Sequence, residues 1–178
     1  MLSCAFAFSG AIGSGKTTLS LALSEKISCS YASFGGYIRM LAMDNGYKDP
    51  SREQLQQIGE YLVNTDTVNF CEAVLHSAGW QKGENLVIDG VRHLEVLRTL
   101  HRILIPQRLV LIYVEVEDHK RVERIKSRGL EIISSLDSKH STEVQVPAKL
   151  KNIADLIVDS SDPVESNIEL IITTFLSN

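Results

Sequence analysis

Residues 10–17 read Gly10-Ala11-Ile12-Gly13-Ser14-Gly15-Lys16-Thr17, and this stretch decides the fold. It is a complete G-x-x-x-x-G-K-[ST] loop, whose residue types follow from what it must hold. Gly10 and Gly15 allow positive φ, so successive N–H groups curl inward as an anion-binding nest. Gly13 and Ser14 are small enough to let the loop lie against phosphates. Ala11, Ile12 and Thr18 complete the lining, Lys16 reaches the terminal phosphates, and the Thr17 hydroxyl suits Mg²⁺. Upstream, residues 2–9 form an apolar run fit for a buried parallel strand. Downstream, Leu19, Leu21, Ala22, Leu23 and Ile27 are a helix-compatible set. Strand, glycine loop and helix is the setting the motif requires.

Working outward, strand and helix patterns alternate, which predicts an α/β fold with a mainly parallel sheet. Strands are expected near 2–9, 29–34, 85–89, 108–116 and 154–158. Helices are expected near 16–27, 36–45, 51–78, 92–103, 117–127 and 163–177. Asp49-Pro50-Ser51 supplies a turn and a hydroxyl cap for the long third helix. Residues 129–147 are polar and weakly periodic; they read either as a segment that closes over a substrate or as a plain surface loop.

With 178 residues, 44% hydrophobic and 22% charged, the chain reads as one domain with a real core. The net charge of −4 gives no reason to expect nucleic-acid binding. No run reaches membrane-spanning length, and the apolar N-terminus lacks a basic flank, so it reads as a strand rather than a signal peptide. Cys4, Cys29 and Cys71 are odd in number and lack a C-x-x-C pair, so neither a disulfide framework nor a zinc site is indicated. Cys4 and Cys29 fall in expected strands. A cytoplasmic location is the expectation.

Further positions carry chemistry. Leu86-Val87-Ile88-Asp89-Gly90 is an apolar strand ending in a carboxylate, suited to holding Mg²⁺ beside the loop. Arg92 follows within three residues and suits bidentate phosphate binding, though a salt bridge reads the same. His93 has no matched partner in the sequence and reads as structural or surface. Arg39 follows Phe34-Gly35-Gly36, where twin glycines permit close ligand approach. Arg121, Arg124 and Arg128 recur on one helical face. A solvated basic face would look alike, but cations leading into a lid would stabilise a transferring phosphoryl group.

Together these pieces resemble the phosphate-loop kinases of small metabolites, especially nucleoside monophosphate kinases and dephospho-CoA kinases. The resemblance implies a five-stranded parallel sheet of order 2-3-1-4-5 with helices on both faces, and Mg-ATP as donor. It implies an acceptor-binding helical region at about 35–80 and a lid at about 121–150. Lys16, Asp89, Arg92, Arg124 and Arg128 would be catalytic, Arg39 and Arg92 would bind the acceptor, and Thr17 and Asp89 would hold the metal. Residues 159–163 would lie near the adenine. Relatives often carry Phe-Gly-Asp where this chain has Phe34-Gly35-Gly36, so an acid that meets the acceptor in some members is missing here.

The expected function is transfer of the γ-phosphoryl of ATP to a small nucleotide or nucleotide-like acceptor. The alternative is a nucleotide-binding regulator or slow NTPase with no acceptor, which the missing acid favours. A nucleic-acid end kinase would call for a basic groove that this acidic chain does not advertise.

Overall fold

The apolar run before the glycine loop becomes β1 (Cys4–Ser9), with all six residues buried. The computed structural model describes residues 3–127 and 148–176. After β1 come α1 (Lys16–Lys26), β2 (Ser30–Ser33), α2 (Phe34–Asp44), α3 (Arg52–Ser77), β3 (Leu86–Asp89) and α4 (Leu94–Leu104). Then follow β4 (Arg108–Glu115), α5 (Asp118–Ser127), β5 (Leu156–Asp159) and α6 (Val164–Phe175). The strands form one parallel sheet of order β2-β3-β1-β4-β5, as the resemblance implied.

β1 is central, so both its faces must be apolar. Its alternation divides the core in two. Ala5 and Ala7 face a cluster with Phe70, Val74 and Leu75 of α3 and Val96, Leu100 and Leu104 of α4. Cys4, Phe6 and Phe8 face Leu19 and Leu23 of α1 and Ile168 and Ile171 of α6. Helices therefore cover both faces. Parallel register aligns Phe8 with Asp89 and Ser9 with Tyr113, so the strand ends that carry chemistry emerge together.

Several boundaries differ from the sequence expectation by one or two residues, and the differences at α2, α3 and β2 are the instructive ones. α2 begins at Phe34 rather than 36, because the Ser33 hydroxyl caps it by accepting from the Gly36 N–H at 3.1 Å. α3 starts as expected, with a capping box in which Ser51 and Gln54 bond reciprocally. It is not one helix, however. Asp66 takes φ −156° and ψ 82°, and its carboxylate accepts from the Asn69 N–H at 2.9 Å, capping the second half. Cys29 lies just before β2 and is only half-buried. Burial raises the Cys29 thiol to about 11 and that of Cys71 to about 12, so both are poor nucleophiles.

Among the described residues, no helix is long and apolar enough to cross a membrane. Arg128 and most of the proposed lid lie outside the described residues.

Candidate functional site

The glycine loop links the end of β1 to the first turn of α1. Gly10 has φ 144°, and a Cβ there would stand 2.3 Å from the Val114 carbonyl oxygen, so only glycine fits between loop and β4. Gly15 is the N-cap of α1 at φ 88°, and no side chain caps that helix. The first-turn amides are thus left to face an anion, the usual arrangement of a phosphate cradle. Ser14 Oγ is buried there without a hydrogen-bond partner. Lys16 is buried, and its ammonium donates to the Ala11 carbonyl across the loop at 3.0 Å.

α5 and the turn after β5 press on the loop from another side. A Cβ on Gly13 would meet Ile125 and Arg121 of α5; one on Gly15 would meet Ser160 and lie 3.3 Å from the Arg124 guanidinium. Arg124 donates to Ser160 Oγ at 2.7 Å and to the Ser160 carbonyl at 3.0 Å. Arg121 pairs with Asp118 at 3.2 Å. The 159–163 turn is itself tied down. Asp159 accepts from the Ser161 N–H at 2.7 Å, which with the neighbouring charges of Lys120 and Arg124 holds its carboxyl below the usual range. The Asp159 carbonyl accepts from Asn167 of α6.

Asp89 ends β3 next to the loop and is 5% exposed. Its Oδ2 accepts from Thr17 Oγ1 at 2.8 Å and from the Tyr31 hydroxyl at 3.1 Å. Its Oδ1 is buried with no hydrogen-bond partner. An orphaned carboxylate oxygen beside a threonine hydroxyl is the oxygen donor set that Mg²⁺ prefers, so these residues fit the metal that the loop implies. The Tyr31 phenol is pushed up to about 12, mainly by burial and then by the Asp89 charge, and it stays a donor.

A cavity of about 570 Å³ opens from Lys16, Thr17 and Asp89 and runs between α2, α3 and the turn after β3. This size suits a small-molecule ligand. Arg39 and Arg92 line it, as do the exposed glycines 35 and 36 at the start of α2. Its apolar wall includes Ile38, Leu55, Val63 and Phe70; Phe34 stacks edge-on against Phe70 at 5.1 Å. Gly36 is constrained: a Cβ would stand 3.2 Å from Ser33 Cβ, the residue that caps the helix. Arg124 is outside the lining of this cavity.

Several lining residues escaped the sequence reading. Arg52, Gln56 and Glu60 recur every four residues on α3 and all reach the cavity. Their spacing was readable, but a polar stripe on a helix is ordinarily a solvated face. His93, read as structural or surface, also lines it. Burial chiefly holds its imidazole below the ordinary range, with Glu60 opposing and Arg92 assisting. Tyr31 had no signal, since a tyrosine in a short strand is commonplace.

A five-stranded parallel sheet of this order, with a glycine loop after β1 and an acid closing β3, is the fold of phosphate-loop nucleotide-binding proteins. A family model described as "AAA domain" matches residues 7–145, and the chain belongs to that family. Among solved structures, shikimate kinase from Bacteroides thetaiotaomicron superposes with a TM-score of 0.61 at 14% identity, covering 96% of this chain and 97% of that one. Shikimate kinase from Aquifex aeolicus gives 0.60 at 12%, covering 98% and 97%. A gluconokinase from Sinorhizobium meliloti gives 0.59 at 17%, covering 94% and 89%. At these identities the likeness is one of fold. No curated protein matches by sequence.

Proposed function

We propose that the protein is an ATP-dependent phosphotransferase that moves the γ-phosphoryl of Mg-ATP to a small nucleotide or nucleotide-like acceptor. One observation carries this reading. The cavity that begins at Lys16, Thr17 and Asp89 extends between α2 and α3, where Arg39 and Arg92 also line it. Beyond the phosphate loop, that extension leaves room for a second small ligand.

In this reading, residues 10–18 hold the triphosphate by backbone amides, and Lys16 exchanges its bond to Ala11 for the terminal phosphates. Thr17 and Asp89 would hold Mg²⁺, which neutralises charge on the transferring group when bound. Arg92 lines the same cavity and would steady the phosphoryl in transit. Arg39, one turn into α2, takes the acceptor's own anionic group. Arg124 joins loop to base-side turn and, with Arg128, supplies charge from the lid at about 121–150, whose closure excludes water. The whole chain, 1–178, acts as one domain, with residues 35–80 as the acceptor region.

The acceptor is best read as already anionic. Asp89 has one oxygen occupied by two hydroxyl donors and the other facing the metal position, which suits it poorly to removing a proton. Gly36 leaves no acid at the start of α2. A phosphate acceptor needs no base, since transfer then depends on positioning and charge neutralisation. Lining cations Lys16, Arg39, Arg52 and Arg92 outnumber the carboxylates Asp89 and Glu60. The test is ADP release from Mg-ATP in the presence of a panel of nucleoside monophosphates and dephospho-CoA. One member should raise the rate at least tenfold over the basal rate; a flat panel with tight ATP binding returns the chain to a nucleotide-binding regulator.

A further inference from the structure

Tyr31 is the residue of this site that neither the glycine loop nor the strand-end acid accounts for. It lies in β2, opposite Val87 in register, and its ring packs beside the cluster that contains Leu19 and Leu23. Its hydroxyl passes the end of β3 and donates to Asp89 Oδ2 at 3.1 Å. Thr17 donates to the same oxygen at 2.8 Å. Ser20 and Ser33 lie near the phenol and counter part of the rise in its pKa. The Ser20 hydroxyl in turn donates to the Thr17 carbonyl, tying the same turn of α1.

This arrangement has a directional consequence. A carboxylate on a short side chain rotates about its last bond, and its terminal torsion is broad. With a single donor on Oδ2 the group would still swing. Two donors from different elements, α1 and β2, define the carboxylate plane and leave Oδ1 as the oxygen turned elsewhere. Oδ1 is the buried oxygen with no partner. Two hydroxyls also draw charge toward Oδ2 and leave Oδ1 as the acceptor for a cation or its water.

We propose that Tyr31 is a positioning residue for the divalent metal: it acts through Asp89, by holding the carboxylate so that Oδ1 faces the ion. The inference rests on Thr17 and Asp89 being the metal-facing pair. Partners of metal ligands ordinarily change affinity by about 10-fold or more when removed.

The experiment uses the full chain with ADP and Mn²⁺ as the probe, with free Mn²⁺ followed by electron paramagnetic resonance. Tyr31→Phe keeps the ring and loses only the hydroxyl. It should weaken Mn²⁺ about 10-fold, leaving metal-free ADP affinity and the thermal midpoint near wild type. In an Asp89→Asn background the same substitution should add less than twofold, because its route to the metal is gone. Tyr31→Phe leaving Mn²⁺ affinity within twofold overturns the inference, as does full additivity with Asp89→Asn. Should Thr17→Ala and Asp89→Asn both leave Mn²⁺ binding untouched, the metal pair itself is misassigned and the proposed function falls with it. A flat Tyr31→Phe beside sensitive Thr17 and Asp89 variants removes only the role of Tyr31.

Discussion

Gly10, Lys16 and His93 each owe their behaviour to a neighbour a few ångströms away. Gly10 stands where a Cβ would overlap the Val114 carbonyl, in a backbone conformation that side chains rarely adopt. Gly10→Ala should therefore cost more than about 1 kcal/mol by urea unfolding and abolish nucleotide binding. Lys16→Ala should leave the thermal midpoint nearly unchanged while turnover disappears; unchanged turnover would exclude residues 10–17 as the triphosphate site. His93 makes a pH prediction. Its folded pKa is lowered, chiefly by burial. As pH falls, the unfolded chain takes up the proton first, so the stability from neutral His93 is complete above about pH 6.5 and lost below it. Urea midpoints measured from pH 7.5 to 5 should fall less steeply in His93→Asn than in wild type.

The glycine loop was legible in the sequence because each of its residues answers a local demand: positive φ, small size, one ammonium, one hydroxyl. Asp89 was legible for the same reason, as a carboxylate closing an apolar run. Tyr31, Arg52, Gln56 and Glu60 were not, because their importance comes from what long-range folding sets beside them. Tyr31 and Asp89 are 58 residues apart and meet only because β2 pairs with β3.

At the scale of elements, caps decide what periodicity leaves open. Apolar spacing through Leu55, Ile58 and Leu62 and again through Cys71, Val74 and Leu75 suggested one continuous helix. Asn64, Thr65, Asp66 and Thr67 fall between those sets, and such residues favour caps and turns over helix interiors. The structure breaks α3 there, at Asp66. Replacing Ser51, which carries the capping box at the start of α3, should cost about 1 kcal/mol in Ser51→Ala, read from denaturant midpoints. That cost should also weaken acceptor binding, since Arg52, Gln56 and Glu60 hang from this helix; an unchanged acceptor KM would show that the first turn of α3 does not shape the cavity. α2 follows the same logic. Two glycines disguised its start, and the Ser33 cap restores it two residues earlier than the helix pattern suggested.

For the whole molecule, the parallel sheet brings the glycine loop and Asp89 together at the carboxyl ends of the strands. Because β1 lies between β3 and β4, the loop after β1 sits beside Asp89 on one side and the α5 and β5 ends on the other. In the proposed reading, the donor and acceptor regions meet at Lys16 and Thr17, which line the cavity. A ligand that spans the loop binds only the folded chain. At 100 times its dissociation constant, Mg-ATP should add about 2.7 kcal/mol. That corresponds to a rise of roughly 5–10 °C in the thermal midpoint for a chain of this size, and Lys16→Ala should lose most of it.

The central claim is that the γ-phosphoryl leaves ATP for an acceptor held over Arg39 and Arg92. Its most direct test is to follow that group itself, by ³¹P NMR of Mg-ATP with the wild-type protein and each candidate acceptor in turn. The account predicts one acceptor whose phosphorylated product grows in step with ADP, while inorganic phosphate stays near its background and Arg39→Ala raises the acceptor KM at least tenfold. ADP accompanied only by inorganic phosphate, with every acceptor recovered unchanged, would contradict it.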